Sequence, residues 1–190
     1  MDNLISKWHT SIEEINEISW NHLKVNNTIP FYTWKWLQNL EKSGSVNHTK
    51  GWQPLFLSIW AKNDLISVAP LYIKYHSYGE FIFDNLFNQL AIDIGINYYP
   101  KLVGMSPFSP VEGYKFIFAP GQKEEELSLF MLKKIESANE RFFNSEYIQS
   151  SVVASGNEKL LEKYLQKRND VLPKWKIDAV NLNFSKKSVC

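Results

Sequence analysis

The chain has 190 residues, enough for one domain with a real hydrophobic core or for one half of a larger protein. Its 21 Lys and Arg against 20 Asp and Glu leave a net charge of +1, so no global field draws it to nucleic acid or to an anionic membrane. The one cysteine, Cys190, is the last residue, which excludes an intrachain disulfide and a cysteine metal cluster and fits a reducing cytoplasm.

Met1 to Lys7 lacks the apolar core of a signal peptide. The longest apolar run, Leu65 to Ile73, is interrupted by Ser67 and Pro70 and is too short to span a bilayer. These features predict a soluble, cytoplasmic α/β protein.

In chain order, Ser11-Ile12-Glu13-Glu14 reads as a capping box, and Ile12, Ile15, Ile18 and Leu23 follow at helical spacing. A second helix is predicted from Tyr32 to Lys42, with Trp34, Leu37 and Leu40 inward and a stop at Ser43-Gly44. Gln53 to Trp60 and Leu65 to Lys74 are apolar and β-branched, and Lys62-Asn63-Asp64 joins them as a β-hairpin. Asp84 is placed to cap a helix through Leu86, Leu90 and Ile94 that ends at Gly95. Lys101 to Met105 is a short strand. Pro107, Pro110, Gly113, Pro120 and Gly121 then mark a long loop with a strand at Lys115 to Phe118. An amphipathic helix follows from about Gln122 to Phe142, opened by Glu124, Glu125 and Glu126 at the positive end of its dipole. Tyr147 to Val153 reads as a strand, and Ser155 to Glu158 cap a last helix through Leu165. The pattern fades beyond Pro173, which predicts one domain over 1–169 and an irregular tail over 170–190. The alternation argues for a mixed sheet with helices on both faces.

Aromatic residues make up 15% of the chain and include seven tryptophans. They read either as large core side chains or as the walls of an aromatic cleft. The densest polar chemistry lies in Pro70 to Asp84, where Lys74, His76, Ser77, Glu80 and Asp84 are interleaved with Tyr72, Tyr75 and Tyr78.

Several segments occur together in one order: Trp20-Asn21, Pro30-Phe31, Leu40 to Val46, Gly51-Trp52-Gln53-Pro54, Pro70 to Asp84, Tyr98 to Leu102 and Pro107 to Val111. As a set, over roughly Ile12 to Gly121, the chain resembles the N-terminal part of the Fem-like peptidoglycan biosynthesis/recognition proteins of the GNAT (N-acetyltransferase) superfamily. The resemblance implies a GNAT-like α/β fold, a mixed and mainly antiparallel sheet flanked by helices. It also implies transfer of an acyl or aminoacyl group to an amine of a cell-envelope precursor or similar small molecule. The donor would be an acyl-CoA or an aminoacyl-tRNA, and no cofactor would be permanently bound. Such proteins are about twice as long, with two GNAT-like halves. The resemblance therefore implies the N-terminal half of such a protein, with a truncated or frameshifted product as one expected origin.

Acyl transfer to an amine needs a base for the attacking nitrogen and donors for the developing oxyanion. His76 and Glu80 are the base candidates, Tyr78 an oxyanion donor or leaving-group acid, and Lys74 a holder of an anionic group. In an extended segment Tyr72, Lys74 and His76 share a face that Tyr78 and Glu80 continue. The competing reading is a solvated hairpin end with Lys74 and Glu80 as surface charges. The Arg/Gln-x-x-Gly-x-Gly/Ala phosphate loop of simpler GNAT enzymes is absent. The substitute is Met105 to Gly121, with Ser109 and Gly113, leading into a helix N-terminus that could hold a phosphate or carboxylate.

His76-Ser77 with Glu80 lacks a Gly-x-Ser-x-Gly elbow and is not read as a hydrolase triad. His9, His22, His48 and His76 are scattered without ligand spacing, so no metal is expected. Lys133-Lys134 and Lys186-Lys187 read as ordinary exposed charges rather than an RNA-binding face. Two functional readings stand: an N-acyltransferase of GNAT type, or a non-catalytic GNAT-like module that binds substrate or a partner.

Overall fold

The computed structural model describes residues 3–23, 30–78, 85–93, 95, 97–108, 116–143 and 150–151. Its organising element is a hairpin of two interrupted strands. One arm is β2 (Trp52–Pro54) and β3 (Phe56–Ala61), and the other is β4 (Asp64–Ala69) and β5 (Tyr72–Lys74). Trp52 stands opposite Lys74, Pro54 opposite Tyr72 and Leu57 opposite Ala69, with the Leu55 N–H bonded to the Leu71 carbonyl at 2.9 Å between them. The register is continuous from the open end to a bulge at Ile59/Trp60, just before the turn, where Lys62 takes φ +56°. Pro70 is the reason for the break, since it has no N–H to give to the ladder. The predicted hairpin is present, and each predicted strand is two.

Among the described residues, two four-stranded sheets diverge from this hairpin. The turn half carries β1 (Leu4–His9) on one side and β7 (Ile117–Phe118) on the other. The open half carries β6 (Lys101–Val103) beside β5, with β8 (Ser150–Ser151) parallel to β6 and every other pairing antiparallel. The fold is therefore mixed α/β with mainly antiparallel sheets flanked by helices. β1 has no counterpart in the sequence reading. It places Ser6 toward the protein and leaves Ile5 50% exposed, so the alternation that announces a strand is inverted at two positions.

Helices α1 (Glu17–Asn21) and α2 (Trp34–Lys42) lie toward the face bearing Phe56 and Tyr72. α4 (Glu124–Phe143) lies toward the opposite face, where the Ser67 hydroxyl reaches both the Ile117 carbonyl and Met131 Sδ at 3.0 Å. Leu127, Met131, Ile135 and Ala138 are buried, as the helical spacing predicts.

The single N-terminal helix expected from Ile12 to Leu23 is a correction. A 3₁₀ turn at Ile12–Glu14 ends at an extended Ile15, and Asn16 starts α1 by accepting from the Ile18 and Ser19 N–H groups. Ser11 caps that turn, while Glu14 accepts from the Thr10 N–H and hydroxyl rather than closing a capping box. An Asn side chain that bonds forward along its own backbone favours a cap over a helix interior, and here it divides the pattern.

Thr33 caps α2, and the helix ends at Ser43-Gly44 with Gly44 at φ +71°. Trp34 donates its ring N–H to the Ile15 carbonyl at 2.8 Å, and Trp20 donates to the Tyr32 carbonyl at 3.0 Å. Glu41 accepts from the Ser11 hydroxyl at 2.6 Å and the Ile12 N–H at 2.9 Å, tying α2 to the first turn. Helix α3 (Asn85–Asp93) is present and closes at Gly95, φ +74°, with the Gly95 N–H on the Ile92 carbonyl. Its Leu86 and Leu90 are exposed. The expected Asp84 cap, the Ser155–Leu165 helix and the 170–190 tail lie outside the described residues. So does Lys115 of the predicted Lys115–Phe118 strand, as does most of Tyr147 to Val153. Among the described residues no helix is long and apolar enough to cross a membrane.

Candidate functional site

The open end of the hairpin gathers most of the polar residues singled out from the sequence. Lys74 is Cα partner to Trp52 on one side and to Lys101 on the other, so Trp52, Lys74 and Lys101 form a row across β2, β5 and β6 on one face. Trp52 and Lys74 are at most 1% exposed and Lys101 7%. Lys74 Nζ lies 4.1 Å from the Trp52 ring centroid and donates to the His76 carbonyl. Lys101 Nζ lies 3.7 Å from the Tyr98 ring centroid and 4.8 Å from that of Tyr99. Each ammonium is thus set against the negative face of an aromatic ring. Lys74 is no surface charge.

Strand β5 ends at Lys74, although the Tyr75 N–H still reaches the Gly51 carbonyl. The alternation expected to run on through Tyr78 therefore stops, because the chain turns. The His76 ring is half-buried against Gly51 and stacks on Tyr78 at 4.9 Å, and its Nδ1 accepts from the Tyr78 N–H at 3.3 Å. Gly51 is required twice. It sits at φ +79°, and a Cβ there would come within 2.8 Å of the His76 ring. Tyr78 is 80% exposed. Ser77 and Tyr99 share a hydrogen bond at 2.7 Å, Tyr75 donates to Gln53 at 2.9 Å, and His48 packs on Tyr75.

The first part of the loop proposed for a donor reaches the same place. Phe108 packs on Trp52 with ring centroids 5.7 Å apart and takes φ +57°, a strained conformation for an aromatic residue. The loop thus approaches the row that contains Lys74. Ser109, Gly113 and Glu80 lie outside the described residues.

Beneath the row, ring contacts run from Trp52 to Tyr72, then to Phe56 and Trp20. Burial raises the Tyr72 hydroxyl well above its ordinary range, and the charge of Glu41 and the neighbouring Tyr32 add to the shift. Burial raises Tyr32 too, against a hydrogen bond from the Ser106 backbone. Burial also raises Glu41, opposed by its bonds from Ser11 and Ile12. Those bonds engage both Glu41 oxygens within the fold, so it acts as a structural tie.

Sequence reasoning missed two things. In the sequence Lys101 has a place at the start of a strand and in the Tyr98 to Leu102 segment, and nothing local marks it as the neighbour of Lys74. The second is a Ser-His-Glu contact at the other end of the hairpin. His9 Nε2 lies 2.7 Å from the Ser58 hydroxyl and its Nδ1 3.3 Å from the Glu14 carboxylate. Ser58 also accepts from the Trp60 ring N–H at 2.8 Å. With Ser58 fully buried no acyl donor can reach its oxygen, so this is a core network and not a hydrolase site. A separate groove beside the hairpin turn, lined by residues such as Lys62, Asp64, Gln122 and Glu126, contains none of the predicted site residues.

The architecture and the end-of-hairpin cluster together define a mixed α/β domain with a cationic, aromatic polar site. The chain belongs to the FemAB-like family of peptidoglycan biosynthesis/recognition proteins, whose family model matches residues 11–183. That match runs well past Gly121, where the recognisable segments end. No curated protein and no solved structure matches the chain.

Proposed function

We propose that the chain is an N-acyltransferase-type protein, or the N-terminal half of one, acting on an amine of a cell-envelope precursor. The family match carries this reading, and the meeting of Lys74, His76 and the start of the 105–121 loop at one end of the hairpin supports it. In the reaction the amine nitrogen attacks the donor's acyl carbon, a C–N bond forms, and the C–S or C–O bond to the CoA or tRNA donor breaks. Because His76 Nδ1 accepts from the Tyr78 N–H, the neutral ring carries its proton on Nε2. His76 therefore meets the acyl oxygen as a donor, and Glu80 takes the proton lost by the amine. Tyr78, exposed at the edge, returns a proton to the leaving sulfur or oxygen. Lys74 contributes positive charge to an anionic donor, for which Ser109 and Gly113 are the further candidate contacts.

The test is turnover by the purified chain with acyl-CoA and aminoacyl-tRNA donors against amino-sugar and peptide amines. Loss of about 10²-fold or more is expected in both His76→Ala and Glu80→Ala. Full activity in both variants removes the assignment. Binding of envelope fragments without turnover, in a chain with intact folding, selects the non-catalytic module that the family description's word "recognition" also covers.

A further inference from the structure

We infer that the outer edge of β1 is a self-association surface, on which a second copy of this chain lays its own β1 antiparallel, with Ser6 opposite Ser6. The inference concerns assembly and does not depend on acyl transfer.

β1 pairs with β3 without a bulge over all six of its residues, Leu4 to His9. Among the described residues β3 is its one strand neighbour, so its other side presents N–H and C=O groups to an incoming strand. The other strands that end a sheet are short: β7 and β8 have two residues each and β2 has three. Proteins blunt an exposed edge by shortness, a proline, a bulge or charge. β1 uses none of the first three and carries one lysine, Lys7. Its side chains are also left incompletely covered. Leu4 and Trp8 pack on the core while staying partly exposed, and Ile5 is 50% exposed. A further strand alongside completes their cover.

The residues of the edge select the occupant. In an antiparallel pair, directly opposed residues share a face of the sheet, so two copies related by a two-fold axis centre their pairing on one residue. Centring on Lys7 sets two ammonium groups directly opposite, which repel. Centring on Ile5 or Trp8 leaves half of β1 unpaired. Centring on Ser6 pairs Leu4 with Trp8, Ile5 with Lys7, and Ser6 with itself. Aliphatic then meets aromatic on one face, the two hydroxyls meet on the axis, and Ile5 lies along the aliphatic stem of Lys7 on the other face. Lys7 Nζ lies 5.0 Å from the centroid of the Trp60 ring, which stands on β3, so the ammonium leans away from the open edge. The net charge of +1 leaves little repulsion between copies. The paired stretch, Leu4 to Trp8, is much shorter than the roughly 20–30 residues a side of a standard interface, so association is weak and concentration-dependent.

The experiment is sedimentation equilibrium of the full chain from low micromolar to several hundred micromolar, where a reversible monomer–dimer equilibrium is expected. Ile5→Lys, at a half-exposed position, sets a lysine against Lys7 of the other copy twice in each dimer and is expected to weaken association about tenfold. Adding Lys7→Glu to Ile5→Lys places opposite charges there and is expected to restore it. Ser6→Cys in a Cys190→Ser background is expected to give a disulfide-linked dimer with oxidised glutathione. Lys7→Cys in the same background is expected to give none, since only residue 6 meets itself. Circular dichroism confirms folding of each variant. A chain that stays monomeric throughout, a dimer indifferent to Ile5→Lys, or a double variant as weak as Ile5→Lys overturns the inference. Equal cross-linking through residues 6 and 7 overturns it as well. None of these readouts needs turnover, so they fail or succeed separately from the acyl-transfer reading.

Discussion

One face of a single hairpin carries two polar clusters, and they are built on opposite principles. Near the turn, His9, Ser58, Trp60 and Glu14 close a network in which one imidazole meets one hydroxyl and one carboxylate. At the open end, two lysines that are Cα partners each set the ammonium against an aromatic ring. Trp20, Phe56 and Tyr72 separate the two. The first arrangement is what a fold needs to bury polar atoms, because donors and acceptors balance. The second holds each ammonium over the face of an aromatic ring. Buried polarity by itself is therefore a poor marker of function.

Mutations sharpen the contrast. The largest effect is expected from Gly51→Ala, which combines a left-handed backbone with a clash against the His76 ring and costs about 2–3 kcal/mol in urea unfolding. A loss below about 0.5 kcal/mol would show that the His76 turn is not fixed by its packing. Next, Ser58→Ala leaves the Trp60 ring N–H and the His9 ring without their shared partner, for about 1–3 kcal/mol of stability in urea unfolding. Lys101→Met keeps the aliphatic stem and removes only the ammonium over Tyr98, so it is expected to change stability by less than about 1 kcal/mol in the same measurement. A larger loss in Lys101→Met than in Ser58→Ala would overturn this ranking of the two clusters.

The smallest effects concern pH. Burial holds the His9 imidazole below its ordinary value of 6.5, outweighing the Glu14 carboxylate that pulls it up. Its stabilising contribution is present above pH 6.5 and is lost as pH falls through the lowered native value. Glu41 runs the other way. Burial raises it, so its contribution is present below about pH 4.5 and disappears as pH rises through the raised value. His9→Gln should flatten the decline of stability on acidification below pH 6.5, and Glu41→Gln should remove the opposing slope. Unfolding free energies measured from pH 4 to 8 test both, and identical profiles for wild type and His9→Gln would contradict the assignment.

Legibility in the sequence followed the length of the signal. The hairpin, α2 and α4 were readable because apolar periodicity repeats over many residues and the breakers at Lys62-Asn63-Asp64, Ser43-Gly44 and Gly121 agree with it. β1 was not readable, since an edge strand with Ile5 outward and Ser6 inward has no clean alternation. The Ile12–Leu23 pattern was read as one helix because Asn16 acts through its own side-chain cap, which periodicity does not register. In the candidate site Lys74, His76 and Tyr78 announced themselves by density within one short segment. Lys101 did not, because its relation to Lys74 exists only through strand pairing.

By itself the sequence determined the fold class, the family and the segment in which the unusual chemistry lies, because those depend on local pattern and on motifs fixed in order along the chain. Only tertiary structure decided that β5 stops at Lys74, that the lysine is buried rather than solvated, and that Lys101 stands beside it. The physical reason is that charge opposite charge is a property of register. Two residues far apart along the chain become neighbours through backbone hydrogen bonds, and these are made between peptide groups without regard to the side chains they bring together.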